Sequence, residues 1–336
     1  MATVTLADVY DPIVFANAID EAAVTKNAFI NSGVAVSNVE IEAMATTGGS
    51  IGELPFYKPL GNEEANYSDD STDTSTPAKI LSGKQIYRRA MMNKSWSSMD
   101  IVAELSSQRD PVLAITSKIG GYWATQKEKR TIQSCMGILA DNVANDNSDM
   151  VVNIATDDVG APADAELIGA DAIIDSQTTL GDQSTNLGVI SLHSVPYARL
   201  KKLQLIVDNT DPVSGVTFQT YLGMVVIVDD SLPAVSGTNR VTYTSILFER
   251  GVFADASGTP KVASEMERKP DTGNGGGEEI VYSRRSDIIH PFGFAFDSTS
   301  VAGQSATWAE LADAANWDRV YAERKNVGMS FLQTNG

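Results

Sequence analysis

The chain has 336 residues, 43% of them hydrophobic, one cysteine and a formal net charge of −18, which is long enough to bury roughly 75% of its unfolded surface in two or three domain-sized pieces. The charge excludes a broad phosphate-binding face, because nucleic-acid affinity comes from Lys and Arg displacing counterions. One cysteine excludes an intrachain disulfide framework. No apolar run nears the ~18 residues of a membrane span and no basic leader opens the chain, so no membrane partner is expected and cytoplasmic residence is.

From Leu6 to Ile30 the apolar residues Val9, Ile13, Ala16, Ile19, Ala23 and Val24 recur at helical intervals behind Asp11-Pro12, which predicts a short amphipathic arm. Residues 34–43, VAVSNVEIEA, alternate as a half-buried strand does, and TTGGS after them reads as a hinge. Residues 61–79, GNEEANYSDDSTDTSTPAK, form an acidic, hydroxyl-rich tongue without apolar periodicity, between strand-like flanks at Tyr57 and IYRRAM. An excursion of this length inside a compact chain is a functional arm or a linker. The flanks predict a hairpin that carries it outward.

Strand is expected again from Ile80 to Met92, and then Asp110 as N-cap with Pro111 at the first position opens a helix to about Val143. That helix is ~50 Å long. Its apolar stripe is interrupted at Lys127, Glu128, Lys129 and Arg130, where it is expected to meet solvent or a neighbour, and Gly120-Gly121 marks a bend or close approach. Residues 145–166 read as loop and 163–180 as a second helix. LGVISLHS reads as a buried strand, VPYARLKKLQLI as a helix begun by Pro196, and LGMVVIVDD as a central strand. VTYTSILFERGVFA reads as a strand pair, 255–279 as a long surface excursion, and IVYSRRSDIIHPFGFAF as strand. Thr307 and Glu310 form a capping box for the last helix.

Chemistry finds little footing. His193 and His290 sit in apolar, strand-like runs and fit structural roles, and Cys135 on its helical stripe fits a buried thiol. The glycine clusters at 48–52 and 275–277 lack a following Gly-Lys-Ser/Thr. Asp229-Asp230 follows an apolar strand, where α/β enzymes place metal ligands, but no histidine or acidic cluster completes a set. Residues 141–149 lack the central Gly and final Glu of a calcium loop. The basic pairs Arg88-Arg89, Lys201-Lys202 and Arg284-Arg285 are far apart, as suits local ion pairs. No catalytic, cofactor-binding or metal-holding residues are expected, and no cofactor.

The strings LHSVPYARLKK, GMVVIVDDSLP, IIHPFGFAF and SATWAELADAANWDRVYAERKNVGMSFLQTN resemble tailed-bacteriophage major capsid proteins of the Hong Kong 97-like family, over nearly the whole chain. The resemblance implies an α+β fold: an N-terminal arm at 1–48, an extended loop at 49–92, a peripheral domain with a long spine helix at 93–175 and 262–336, and an axial domain at 176–261. It implies a non-enzymatic shell subunit that forms hexamers and pentamers of an icosahedral capsid enclosing double-stranded DNA without sequence-specific binding, assembled in the host cytoplasm. It implies a portal protein as well, leaves decoration proteins open, and, since the chain begins with the arm, points to a separate scaffolding protein. An encapsulin-like cellular compartment shares the fold, and an α/β enzyme built on Asp229 and Asp230 is the remaining alternative.

Two inter-subunit contacts are expected. Acidic Glu63, Glu64, Asp69, Asp70 and Asp73 on the tongue would meet Arg88, Arg89 or Lys94 of a neighbour, and the arm would pack through Val9, Ile13 and Ile19 on another copy. Some family members join subunits through Lys to Asn bonds. Lys58, Lys79 and Lys84 lie in or beside the tongue, where lysines ordinarily serve solubility.

Overall fold

A computed structural model describes residues 32–37, 39–46, 49–61, 63–68, 70, 74, 76–105, 111–210, 217–298 and 301–336. The expected arm helix with Val9, Ile13 and Ile19 lies outside the described residues, as do Asp69, Asp73 and Asp110.

The first described element is the two-residue strand β1 (Ala35–Val36), followed by helix α1 (Val39–Thr46). The alternation over 34–43 predicts strand, but only Ala35–Val36 is strand and its second half, 39–43, is helix. Ile41 and Ala45, four residues apart, bury together against Ala254, Ala256 and Ile288, whereas Ala43, which a strand would turn to that same face, is exposed.

The expected hairpin is present: β2 (Ile51–Tyr57) and β3 (Ser82–Arg88) pair antiparallel from Ile51 opposite Arg88 to Tyr57 opposite Ser82. After Arg89 the chain continues as β4 (Ala90–Met99), then the short helix α2 (Asp100–Leu105).

Helix α3 (Pro111–Asn145) runs for 35 residues, ~50 Å at 1.5 Å per residue. Pro111 suits its start, since the missing N–H has no partner in a first turn. Ile132, Cys135, Ile138 and Leu139 face the core, and burial pushes the Cys135 thiol well above its usual range. The charged stretch corrects the sequence expectation. Lys127 pairs with Asp255, Arg130 donates to the Ala306 carbonyl at 2.8 Å, and Glu128 is 1% exposed, so this turn is packed inside rather than turned to solvent. Burial holds the Arg130 guanidinium below its ordinary range. The helix passes Gly120 without interruption, and a side chain there would meet open space. Its close approach is at Gly137, where a Cβ would overlap the Leu311 carbonyl and the Trp317 ring.

Beyond α3 the expected loop contains strand β5 (Val151–Asn153), and the expected second helix shortens to α4 (Ala170–Thr178). Strand β6 (Leu187–Leu192) leads into helix α5 (Ser194–Lys202), which starts before Pro196 because His193 caps it, its ring nitrogen accepting from the Val195 amide. Strands β7 (Val207–Thr210), β8 (Thr217–Tyr221), β9 (Met224–Val228), β10 (Ala234–Ser236) and β11 (Val241–Glu249) follow. Then β12 (Phe253–Gly258), β13 (Ser264–Lys269), β14 (Glu278–Pro291) and β15 (Phe294–Phe296) precede the one-turn helix α6 (Trp308–Leu311), β16 (Trp317–Arg319) and β17 (Met329–Thr334). The Thr307–Glu310 capping box forms as expected.

Two corrections concern pairing. β11 and β12, read as one strand pair, enter different sheets. The expected excursion over 255–279 contains β13, which lies along β14.

An eight-stranded sheet runs β5-β17-β11-β6-β9-β8-β7, with β10 beside β11. Both faces are covered, so alternate residues feed two cores: Ile246, Phe248, Val189 and Phe331 pack under α3, while Leu247, Ile190 and Leu332 pack with Ile173 and Leu200. This is why the sequence reads there as unbroken apolar runs. In the other large sheet β14 is the axis. β4 lies along one edge, and β12 and β13 share the other edge end to end, opposite 286–291 and 278–283.

Candidate assembly surfaces

The β2–β3 hairpin is fastened at its base and free at its tip. Each of its glycines faces an aromatic ring across the ladder: Gly52 opposite Tyr87, Gly83 opposite Phe56, with the ring lying where a Cβ would be. The rings cover backbone that glycine leaves bare and hold the register. Phe56 stands edge-on to Tyr321 with centroids 5.1 Å apart. Buried Gln85 accepts from the Gly293 amide and donates to the Tyr321 hydroxyl at 3.0 Å. The last bond before the tip runs from the Lys58 amide to the Leu81 carbonyl.

Past that bond the described residues of the tongue are exposed. Leu60 is 74% exposed and Tyr67 81%, and Tyr57 at the end of β2 is 75% exposed. Glu63, Glu64 and Asp70 are also exposed. The Tyr67 hydroxyl donates to Glu64 within the tongue. These exposed apolar side chains along an extended segment are available to contact another surface. The tongue's acidity is plain in the sequence, whereas its apolar component, Tyr57, Leu60 and Tyr67, has no periodicity to mark it.

The cations expected to receive the tongue differ in availability. Arg88 donates to the Ser298 carbonyl at 3.0 Å and lies 5.8 Å from the Phe296 ring centroid, both within its own chain. Arg89 is half-buried and donates to Ser286. Lys94 is exposed on β4. Of the tongue lysines, Lys84 pairs with Glu53 across the hairpin at 2.6 Å, and that bond raises its pKa, while Lys79 is exposed.

The residues weighed for catalysis or metal binding serve the backbone. His290 is buried, its Nε2 2.9 Å from the Phe294 carbonyl, so Nε2 carries the proton; burial holds its pKa down at about 4. Asp229 accepts from the Ser231 amide and Asp230 from the Ser194 amide at the start of α5. The calcium-like stretch closes α3: Asn142 donates to Asp149 at 2.7 Å and accepts from the Met150 amide, and Arg319 grips both Asp149 oxygens at 2.8 Å. Among the described residues no group of three His, Cys, Asp or Glu could hold a metal.

Comparison with known proteins turns this geometry into an assignment. The model of the Gp13-like family, described as major capsid protein 13-like, matches residues 39–328. The chain belongs to this family of phage major capsid proteins. A curated relative, the major capsid protein of Bacillus phage SPP1, is 32% identical over 330 residues, 97% of this chain and 96% of its own. Among solved structures the capsid of Ralstonia phage GP4 superposes with a TM-score of 0.61 at 10% identity, covering 99% of this chain and 98% of that one. The capsid asymmetric unit of cyanophage Pam1 does so with 0.57 at 10% identity, covering 100% and 99%. The fold is the Hong Kong 97-like capsid fold, α+β as the sequence implied. As a major capsid protein the chain is a structural subunit rather than an enzyme.

Proposed function

We propose that this major capsid protein assembles as hexamers and pentamers into an icosahedral shell enclosing double-stranded DNA, put together in the host cytoplasm with separate scaffolding and portal proteins. The observation that supports it most directly is the tongue: Leu60 and Tyr67, 74% and 81% exposed, stand beside Glu63 and Glu64 at the end of a hairpin whose base is fastened by Tyr321 and Gln85. A rigid base with an apolar and charged tip is suited to lie on a neighbouring copy. Repeated by symmetry, modest contacts of this kind sum to a stable shell. DNA is then contained rather than gripped, because a chain of net charge −18 repels it.

In this reading the arm comprises 1–48, the extended loop 49–92, the peripheral domain 93–175 and 262–336, and the axial domain 176–261. β5 and β17 pair into the sheet that holds β6, β9 and β11, and β12 pairs with β14. The arm's Val9, Ile13 and Ile19 pack on another copy, and the tongue's Glu63, Glu64, Asp69, Asp70 and Asp73 meet basic groups of a neighbour, among Arg88, Arg89 and Lys94.

Electron microscopy of the expressed and purified chain tests the proposal. Closed shells of one or a few sizes are expected. A protein that stays monomeric under all conditions of salt and scaffold supply overturns it, and shells from phage particles filled with protein cargo rather than DNA favour a compartment instead.

A further inference from the structure

Resting on the reading of the tongue as an inter-subunit element, we propose that a basic groove at the junction of β12 and β13 receives the acidic tongue of a second copy of this chain. β12 ends at Gly258 and β13 begins at Ser264, so residues 259–263 loop off the edge of β14 at Arg284 and Arg285. The result is an open groove of about 380 Å³, lined by Arg89, Lys261, Arg284 and Arg285 over Met91 and Met92. No carboxylate lines it, on a chain where acidic residues outnumber basic ones 43 to 25.

Within the subunit these charges are only partly answered. Arg284 pairs with Glu265 at 2.9 Å. Lys261 and Arg285 are exposed, and among the described residues neither side chain makes an ion pair or hydrogen bond. Like charges gathered in a groove repel one another until an anion enters, and the concave walls focus their field outward. The methionines add an apolar floor that adapts to varied shapes, with Met91 48% exposed.

The tongue supplies the matching features in one short segment: Glu63, Glu64 and Asp70 for the cations, Leu60 and Tyr67 for the floor. Groove and tongue are different patches of one surface, so their contact between copies is heterologous. Each subunit reaches one neighbour and receives another, which is the arrangement that closes rings. A nucleic-acid backbone is the competing anion. One short groove of four cations offers little counterion release against a surface this acidic, so the tongue is favoured.

A charge swap in the full-length chain tests the assignment, with shell yield read by sedimentation and electron microscopy and subunit folding by circular dichroism. Lys261→Glu with Arg285→Glu, and separately Glu63→Lys with Glu64→Lys, should each lower shell yield by about tenfold or more while leaving the subunit folded, and combining all four should restore most of it. Should reversal impair solubility, the neutral pair Lys261→Ser with Arg285→Ser should show a smaller loss in the same direction. Normal shells from the folded groove variants overturn the proposal and leave the shell function standing. Loss in both pairs without rescue in the combination also overturns it, and assigns the groove to nucleic acid or another protein. A wild-type chain that forms no shells overturns the assembly reading and this inference with it.

Discussion

The Lys127 ammonium lies 2.6 Å from a carboxylate oxygen of Asp255, tying the middle of α3 to β12 where the two side chains are only 12% and 15% exposed. Removing one partner strands the other charge away from water. Lys127→Met should therefore destabilise the subunit by about 3 kcal/mol. Adding Asp255→Leu should recover most of that loss, since an apolar pair of similar volume requires no compensation. Urea unfolding of the two variants and the wild type checks both numbers.

Gly137 and Gly120 occupy the same helix and should respond to alanine with opposite signs. Alanine in a helix interior is ordinarily better than glycine by about 0.5–1 kcal/mol, and Gly120, facing open space, should gain that amount. At Gly137 the methyl would overlap the Leu311 carbonyl, which already accepts from the Trp317 indole N–H at 2.7 Å. Gly137→Ala should lower stability by about 1–3 kcal/mol through overpacking. Thermal melts of the two single variants give the comparison directly.

His290 should make the subunit sensitive to mild acid. Its folded-state pKa, held at about 4 by burial, lies below the ordinary 6.5, so the unfolded chain takes up the proton first. The His290 contribution is complete above pH ~6.5 and is lost progressively as pH falls to ~4, about 3 kcal/mol in all. His290→Gln, which keeps a donor for the Phe294 carbonyl, should flatten that limb. Unfolding free energies between pH 7 and 4 measure the difference between the two proteins, in which the carboxylates common to both cancel.

Leu60→Ser with Tyr67→Ser should separate folding from assembly. Both side chains are largely exposed, so the change in subunit stability should stay within about 0.5 kcal/mol. Shell yield should nevertheless fall, because the removed apolar surface is the part a neighbour would cover. Equal yields from variant and wild type would show that the tip's apolar residues take no part in assembly.

Local signals were legible without coordinates because their partners lie a few residues away: Pro111 opening α3, the Thr307–Glu310 capping box, the flanks of the tongue, and the apolar runs of β6 and β9. The resemblance of the C-terminal strings carried the family. What remained ambiguous was whatever a distant segment decides. A short alternation such as 34–43 fits either periodicity, and only the patch formed by Ala254, Ala256 and Ile288 selects the helix that brings Ile41 and Ala45 together.

Composition and periodicity carry the acidity, the one long helix and the hairpin with its tongue, and the family resemblance carries the α+β fold. Where the charges go depends on the folded arrangement. Lys127 meets its carboxylate 128 positions along the chain and Arg130 its carbonyl 176 positions along, while Lys261 and Arg285 converge because two strands end against the same edge of β14. Desolvation and pairing depend on what the fold places nearby, and composition and periodicity carry no record of that.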